Sequence, residues 1–193
     1  MPAGLRVYRQ DSEFIQIDQD FSNFGVRTKG VFAVNSQVPN WSSLYEGLLT
    51  MPGTTGVLAF RSNNPVYIAH VTYPGGNTQY RFTASSPTTV EYWYFDDPIH
   101  ATLYDTANVG LLVFEADGSL GFDSRRKYLK VLEQISSDSN VSNRSYPAST
   151  VPAVIQGSYL GSEGLYPVPQ DPNLYVGNTS GVGTSFNGSS LSF

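Results

Sequence analysis

Residues 56–95 read GVLAFRSNNPVYIAHVTYPGGNTQYRFTASSPTTVEYWYF. Four apolar, β-branched and aromatic runs lie in this stretch, at 56–61, 65–73, 79–84 and 89–95. Ser62-Asn63-Asn64, Pro74-Gly75-Gly76-Asn77 and Ser85-Ser86-Pro87 separate them. Gly and Asn accept turn dihedrals and Pro cannot donate to a ladder, so each separator ends one strand and starts the next. The last run is the most β-prone window of the chain. Alternation puts Tyr92 and Tyr94 on one face of it and Trp93 and Phe95 on the other. A strand aromatic on both faces is buried on both or gives one face to an interface, so Tyr92, Trp93 and Tyr94 are candidate interface residues. Stacking on carbohydrate is the alternative use of these rings.

The same pattern extends outward. Residues 5–9 (LRVYR) and 14–17 (FIQI) flank an Asp-Ser pair and read as a first hairpin. Gly25–Val34 reads as a strand, with Gly30 the place for a bulge. Residues 110–115 and 120–123 are joined through Ala116-Asp117-Gly118-Ser119, and Asp-Gly between two apolar runs is a strong hairpin signal. Residues 128–132 (YLKVL) suit a third short strand or one turn of helix. The one helical candidate is 41–49, where Trp41, Leu44, Tyr45 and Leu48 share a face, Asn40 could cap, and Met51-Pro52-Gly53 would stop it. An internal echo is also visible. Gly4-Leu5-Arg6-Val7-Tyr8 with Asp11 and Ile17-Asp18 parallels Gly110-Leu111-Leu112-Val113-Phe114 with Asp117 and Phe122-Asp123. It reads either as two related hairpins or as the generic look of hairpins.

The expected fold is therefore all-β, an antiparallel β-sandwich or jelly-roll-like domain over residues 1–135. From Ser136 onward the composition turns to Ser, Gly, Asn and Pro with few charges. Residues 136–193 are expected to form an irregular C-terminal extension, either a flexible linker or an arm that orders against another chain. Its recurring aromatics, Tyr159, Tyr166 and Tyr175 among them, favour an arm docking on neighbouring subunits.

Composition bounds the chemistry. The chain has 193 residues, with 11 Lys+Arg against 16 Asp+Glu, a net charge of -5, and charged residues at only 14%. The acidic balance argues against nonspecific nucleic-acid binding. Having no Cys excludes disulfides, thiolate catalysis and Cys-ligated zinc. The first residues lack the apolar run of a signal peptide, and no stretch suits a transmembrane helix, so synthesis in a cytoplasm is expected.

No catalytic, cofactor or metal site emerges. Glu91, Asp96, Asp97 and Asp105 could be searched for a glycosidase pair, but Asp96-Asp97-Pro98 reads as a turn. His70 lies mid-strand, and His100 has no third ligand at recognisable spacing. There is no G-x-S-x-G, and Asp117-x-Ser119 is too short of acids for a calcium loop. Ser124-Arg125-Arg126-Lys127 is the one basic cluster, with Lys130 nearby. Arg125 and Arg126 are therefore candidates for an acidic or phosphate-bearing partner, with a solvated turn or an interface ion pair as the simpler use. N-x-[ST] triplets at Asn40, Asn140, Asn143, Asn178 and Asn187 follow from Asn and Ser richness.

Residues 110–131, GLLVFEADGSLGFDSRRKYLKV, carry a more specific signal. The segment resembles a pattern of small virion structural proteins of tailed bacteriophages, G-L-x-[VI]-[FY]-x-x-D-G-x-x-x-F-D-S-R-x-K-Y-L-x-V. Asp117-Gly118, Phe122-Asp123-Ser124-Arg125 and Lys127-Tyr128-Leu129 all match. The opening Gly4-Leu5-Arg6-Val7-Tyr8 is similar to the start of such proteins, but Arg9-Gln10-Asp11-Ser12 replaces their Gly turn. The resemblance implies a β-hairpin preceding a further strand and no catalytic residues. It implies a role in assembly beside other tail or virion proteins at a tail tip, fibre or baseplate, as a homo-oligomer within the virion. A receptor- or glycan-binding fibre module and a capsid decoration protein are the neighbouring expectations.

Overall fold

The computed structural model describes residues 23–39, 41, 43–105, 109–134, 144–148 and 151–157, together with the backbone of strands at 7–8, 15–17, 161–168, 171–181, 185–187 and 190–192. The chain is all-β, built from several antiparallel sheets, and among the described residues no helix reaches seven residues. In chain order the strands are β1 (Val7–Tyr8), β2 (Ile15–Ile17), β3 (Gly25–Val34), β4 (Ser36–Gln37), β5 (Tyr45–Pro52), β6 (Val57–Ser62), β7 (Val66–Thr72) and β8 (Asn77–Ala84). They continue with β9 (Thr88–Asp96), β10 (Leu112–Phe114), β11 (Leu120–Asp123), β12 (Arg144–Ser145), β13 (Gly161–Val168), β14 (Asp171–Gly181), β15 (Ser185–Asn187) and β16 (Ser190–Ser192). The larger sheets have the orders β4-β5-β8-β7 and β3-β9-β6. The stretch expected to be irregular holds a β13-β14 hairpin and a sheet of order β12-β16-β15.

Contacts divide the chain into two units, one of Met1–Gly30, Thr55–Leu58 and Trp93–Gln134, the other of Val31–Thr54, Ala59–Tyr92 and Ile135–Phe193. The second unit is organised by β5 and β8, which pair along their whole length from Tyr45↔Ala84 to Pro52↔Asn77. Gly47, Leu49 and Met51 are buried in alternation, opposite Phe82, Tyr80 and Thr78, which are buried too. Phe82 meets Phe60 edge-on at 5.0 Å between ring centroids, and meets Phe32 at the same distance. Edge-to-face contacts of this kind add to the burial of the rings. Sandwich packing within this unit thus centres on one aromatic triplet.

The expected helix at 41–49 is instead the approach to and first part of β5. Leu48, which a helix would turn inward with Tyr45, is 56% exposed, and the buried positions follow a period of two. Eight residues of ladder with β8 outweigh the local 3.6-residue spacing. Gly47 fits the strand because a Cβ there would lie 2.7 Å from the Ala33 carbonyl oxygen. The proposed cap, Asn40, lies outside the described residues. Between β7 and β8 the register skips Ala69, so Ile68 faces Phe82 and Val71 faces Tyr80. The bulge turns His70 outward, opposite Arg81.

In the first unit the two hairpins that echo in sequence share a register irregularity. Val7 faces Ile17 and Tyr8 faces Ile15. Val113 faces Phe122 and Phe114 faces Leu120. Each skips one residue of the second strand, and each does so between the aligned Val and aromatic positions. Residues 128–132 form neither a strand nor a helical turn. Tyr128 makes a single antiparallel bridge to Gly25, flanked by Val26 N–H donating to the Lys127 carbonyl and Leu129 N–H donating to that of Phe24. Gly25 is needed at this crossing, since a Cβ would lie 2.5 Å from that of Ala101.

Truncating the ring at the centre of the aromatic triplet tests this account of the second unit. Phe82→Ala is expected to lower the unfolding free energy by about 3–5 kcal/mol, measured by urea denaturation. A loss under about 1 kcal/mol would mean that the triplet does not organise the core.

Candidate functional site

The hairpin of the resemblance folds as Asp-Gly chemistry requires. Gly118 has φ 88°, in the left-handed region that favours glycine. The Glu115 carbonyl accepts the Gly118 N–H, and the Glu115 N–H donates to the Ser119 carbonyl. The Asp117 carboxylate accepts the Ser119 N–H at 2.9 Å and its hydroxyl at 2.6 Å. Those bonds from Ser119 hold the Asp117 carboxyl below its usual range. Asp117 and Ser119 thus build the turn itself.

β11 ends on Asp123, a carboxylate with no exposed surface. Its Oδ1 accepts the Arg125 N–H at 3.0 Å and Arg125 Nε at 2.8 Å. Its Oδ2 accepts Arg125 Nη2 at 2.8 Å and Arg126 Nε at 3.3 Å. The backbone carbonyl of Asp123 accepts the Arg126 N–H and the Tyr128 hydroxyl, and its N–H donates to that same hydroxyl. The hydrogen bond from Arg125 outweighs burial and holds the Asp123 carboxyl down at about 2. A carboxylate so fully accepted, and ionised at any ordinary pH, cannot serve as a general acid.

Around this clamp each residue of Ser124-Arg125-Arg126-Lys127-Tyr128 has a partner. Ser124 exchanges hydrogen bonds with Leu111, its hydroxyl accepting the Leu111 N–H and its own N–H donating to the Leu111 carbonyl. The Arg125 carbonyl accepts the N–H groups of Tyr104 and Asp105. Arg126 Nη1 donates to the carbonyls of Pro98 and Ala101. Tyr128 stacks on Phe122 with centroids 4.8 Å apart. The Lys127 ammonium lies 3.6 Å from the centroid of the Tyr104 ring, and its hydrogen bond and charge lower that phenol's pKa. The basic cluster is therefore an internal knot, with Arg125 and Arg126 turned back onto Asp123.

With the hairpin held from below, its outer positions are spare. Val113 is buried, while Leu112 and Phe114 on either side of it are 41% and 54% exposed. Leu111 and Val109 before them, and Val131 and Leu132 after the knot, are exposed as well. No charge interrupts the sequence from Val109 to Phe114.

The other candidates fall into place separately. Asp96 is buried, paired with Arg27 at 2.7 Å, and also accepts the Thr55 hydroxyl and the Asp97 N–H. Asp97 accepts the Ile99 N–H and so caps the short 3-10 turn Pro98–His100. His100 in that turn is exposed. Glu91 belongs to the second unit, half-exposed, 3.8 Å from Arg61. Among the described residues no group of three or more His, Cys, Asp or Glu could hold a metal ion. Tyr94 is wholly buried, and a Cβ at Gly56 would lie 2.2 Å from its ring, so its surface is used within the chain. Tyr92 and Trp93 are half-buried, Tyr92 edge-on to Phe32 at 6.1 Å. Tyr159 and the side chains of Tyr166 and Tyr175 lie outside the described residues. The backbone pairs Tyr166 with Val176 and Pro167 with Tyr175.

No protein-family model, curated protein or solved structure matches the chain. Among the described residues no helix is long and apolar enough to cross a membrane.

Removing the clamped charge should be costly. Asp123→Asn leaves two guanidinium groups without their carboxylate, and a loss of about 3–5 kcal/mol in unfolding free energy is expected by chemical denaturation. The native carboxyl sits at about 2 against an ordinary value of 3.8. A depressed pKa stabilises the fold above the unfolded value and loses that stabilisation as pH falls through the folded value. Stability of the native chain is therefore expected to fall between pH about 4 and 2 by on the order of 2 kcal/mol, and this share of the fall should vanish in Asp123→Asn.

Proposed function

We propose that the chain is a structural subunit of a tailed-bacteriophage virion, belonging to the tail at its tip, fibre or baseplate, and that it works through contacts with other subunits. The observation that carries this reading is the hairpin of residues 110–123. The segment that resembles virion proteins is anchored by an internal ionic knot and presents Leu112 and Phe114 outward on an uncharged strand. Edge strands that must stay single are usually blunted by charge, and β10 lacks that protection. Apolar, charge-poor surfaces of this kind suit permanent subunit contacts.

Receptor or glycan binding is the second reading. It is favoured by Tyr73, which is 62% exposed, and by Tyr104, which is 67% exposed although the Lys127 ammonium covers one face of its ring. Tyr92 and Trp93 serve it less well because they are half-buried.

Two measurements test the first reading. Mass spectrometry of purified particles should find the chain in stoichiometric amount, with antibody labelling on the tail; its absence from intact particles would overturn the proposal. In solution, Leu112→Ser with Phe114→Ser should reduce self-association seen by light scattering. Because both positions are exposed, unfolding free energy should change by under about 1 kcal/mol. Tyr73→Ala and Tyr104→Ala, tested in adsorption to host cells with particles intact, separate the second reading from the first.

A further inference from the structure

One segment of the region after Ile135 is tied to the second unit by a small, complete set of bonds. Val154 and Phe60 exchange backbone hydrogen bonds, Phe60 N–H to the Val154 carbonyl at 2.9 Å and Val154 N–H to the Phe60 carbonyl at 2.8 Å. Two residues on, the Gln156 side chain does the same to Ile68. Its Oε1 accepts the Ile68 N–H at 2.9 Å and its Nε2 donates to the Ile68 carbonyl at 2.8 Å. A primary amide thus imitates one peptide unit of a neighbouring strand.

The positions of the partners give this meaning. Phe60 lies on β6, at the end of the order β3-β9-β6, and Ile68 lies on β7, at the end of β4-β5-β8-β7. The chain passes from one strand to the other through a corner in which Ser62 and Thr88 hydroxyls bond at 2.8 Å and the Asn64 N–H reaches Ser62. Residues 151–157 therefore strap the terminal strands of two sheets within one unit. Pro152 is buried and Ala153 and Val154 half-buried, whereas Val151 and Ile155 stay exposed. The strap carries no charge. Without it the Phe60 and Ile68 backbone groups would lose their partners, and such strand edges are templates for another chain.

We propose that this trough between β6 and β7 is a subunit-linking site, filled in the isolated chain by its own residues 151–157 and in the assembled form by the same residues of a second copy. The occupant is fixed by the bonds already on view, because an identical copy supplies the same Val154 backbone and the same Gln156 amide. Closed and exchanged forms then differ only in the connecting chain, and high local concentration decides between them. The proposal deepens the subunit reading above by naming one surface and its partner.

Antiparallel pairing at Phe60 and Val154 makes Arg61 and Ala153 the next pair. It is of the non-hydrogen-bonded kind, with Cα atoms about 4.5 Å apart, within reach of a disulfide. The chain has no cysteine of its own. Full-length Arg61→Cys and Ala153→Cys chains, one carrying a mass tag, are mixed under mild oxidation and read on a non-reducing gel. The expected result is an interchain crosslink about tenfold above that of a Thr50→Cys and Ala153→Cys control pair. Adding Gln156→Ala to both chains should speed its appearance about tenfold and leave its final yield unchanged, since the lost bonds are the same in closed and exchanged forms. A yield no higher than the control overturns the proposal, whether or not the double variant in one chain closes internally. So does a change in yield without a change in rate. Oligomers without this crosslink would end the exchange and leave the subunit reading standing. A strong crosslink in a chain never found in particles would do the reverse.

Discussion

A carboxylate withdrawn from water has to be paired, and the first unit is arranged around one that is. Asp123 ends β11 with no exposed surface and takes hydrogen bonds from two guanidinium groups within three residues of itself. The contact is short in sequence but its consequences are long in space. Arg126 reaches from the carboxylate to the carbonyls of Pro98 and Ala101, and the Arg125 carbonyl receives Tyr104 and Asp105. A two-stranded hairpin alone is marginal in water. β10 and β11 are held because the turn that follows them is held, which leaves Leu112 and Phe114 with no structural duty that requires burial.

The second unit is stabilised by different means. Its centre is the edge-on contact of Phe82 with Phe60 and Phe32, and its ladder is the full-length pairing of β5 with β8. A chain with only 14% charged residues has few lysines or glutamates with which to blunt strand edges. At β6 and β7 it uses an uncharged strap instead, and the amide of Gln156 takes the place of a strand's peptide unit beside Ile68. Covering an edge with part of the same molecule is a solution that another copy can also supply, so the device that protects the monomer and the device that joins subunits need not differ.

Much of this was legible in residues. Turn chemistry at Asn63-Asn64, Pro74-Gly75-Gly76 and Asp117-Gly118 located the strand boundaries, because those residues report local dihedral needs directly. The helix expected at 41–49 shows where local reading stops. Trp41, Leu44, Tyr45 and Leu48 have helical spacing, but the partner that decides the matter is β8, more than thirty residues away, and the need for a bare Gly47 comes from β3, whose Ala33 carbonyl oxygen a Cβ would meet at 2.7 Å. The basic cluster folds back on itself through a contact that residue type alone does not show. Arg at two and three positions after Asp123 is short enough to fold back, and that spacing was the available signal. Gln156 offered none, since a lone glutamine in a Ser- and Pro-rich stretch gives no hint that its amide will meet Ile68.

The sequence echo gains weight from the structure. The β1-β2 and β10-β11 hairpins skip a residue at the same aligned pair, although their connections, residues 9–14 and 115–119, differ in length. Generic hairpins share alternation, but they have no reason to share the position of an irregularity. The segments that follow also meet each other, Gly25 bridging Tyr128 in antiparallel fashion, as two halves related by a local twofold would. The halves then part company in chemistry. Asp123 is followed by Ser-Arg-Arg, whereas Asp18 is followed by Gln19-Asp20-Phe21, which supplies no guanidinium to pair with it. The Ser-Arg-Arg that follows Asp123 is what ties the second hairpin down while Leu112 and Phe114 stay exposed. That tie suits residues 110–123 to the subunit contact proposed above.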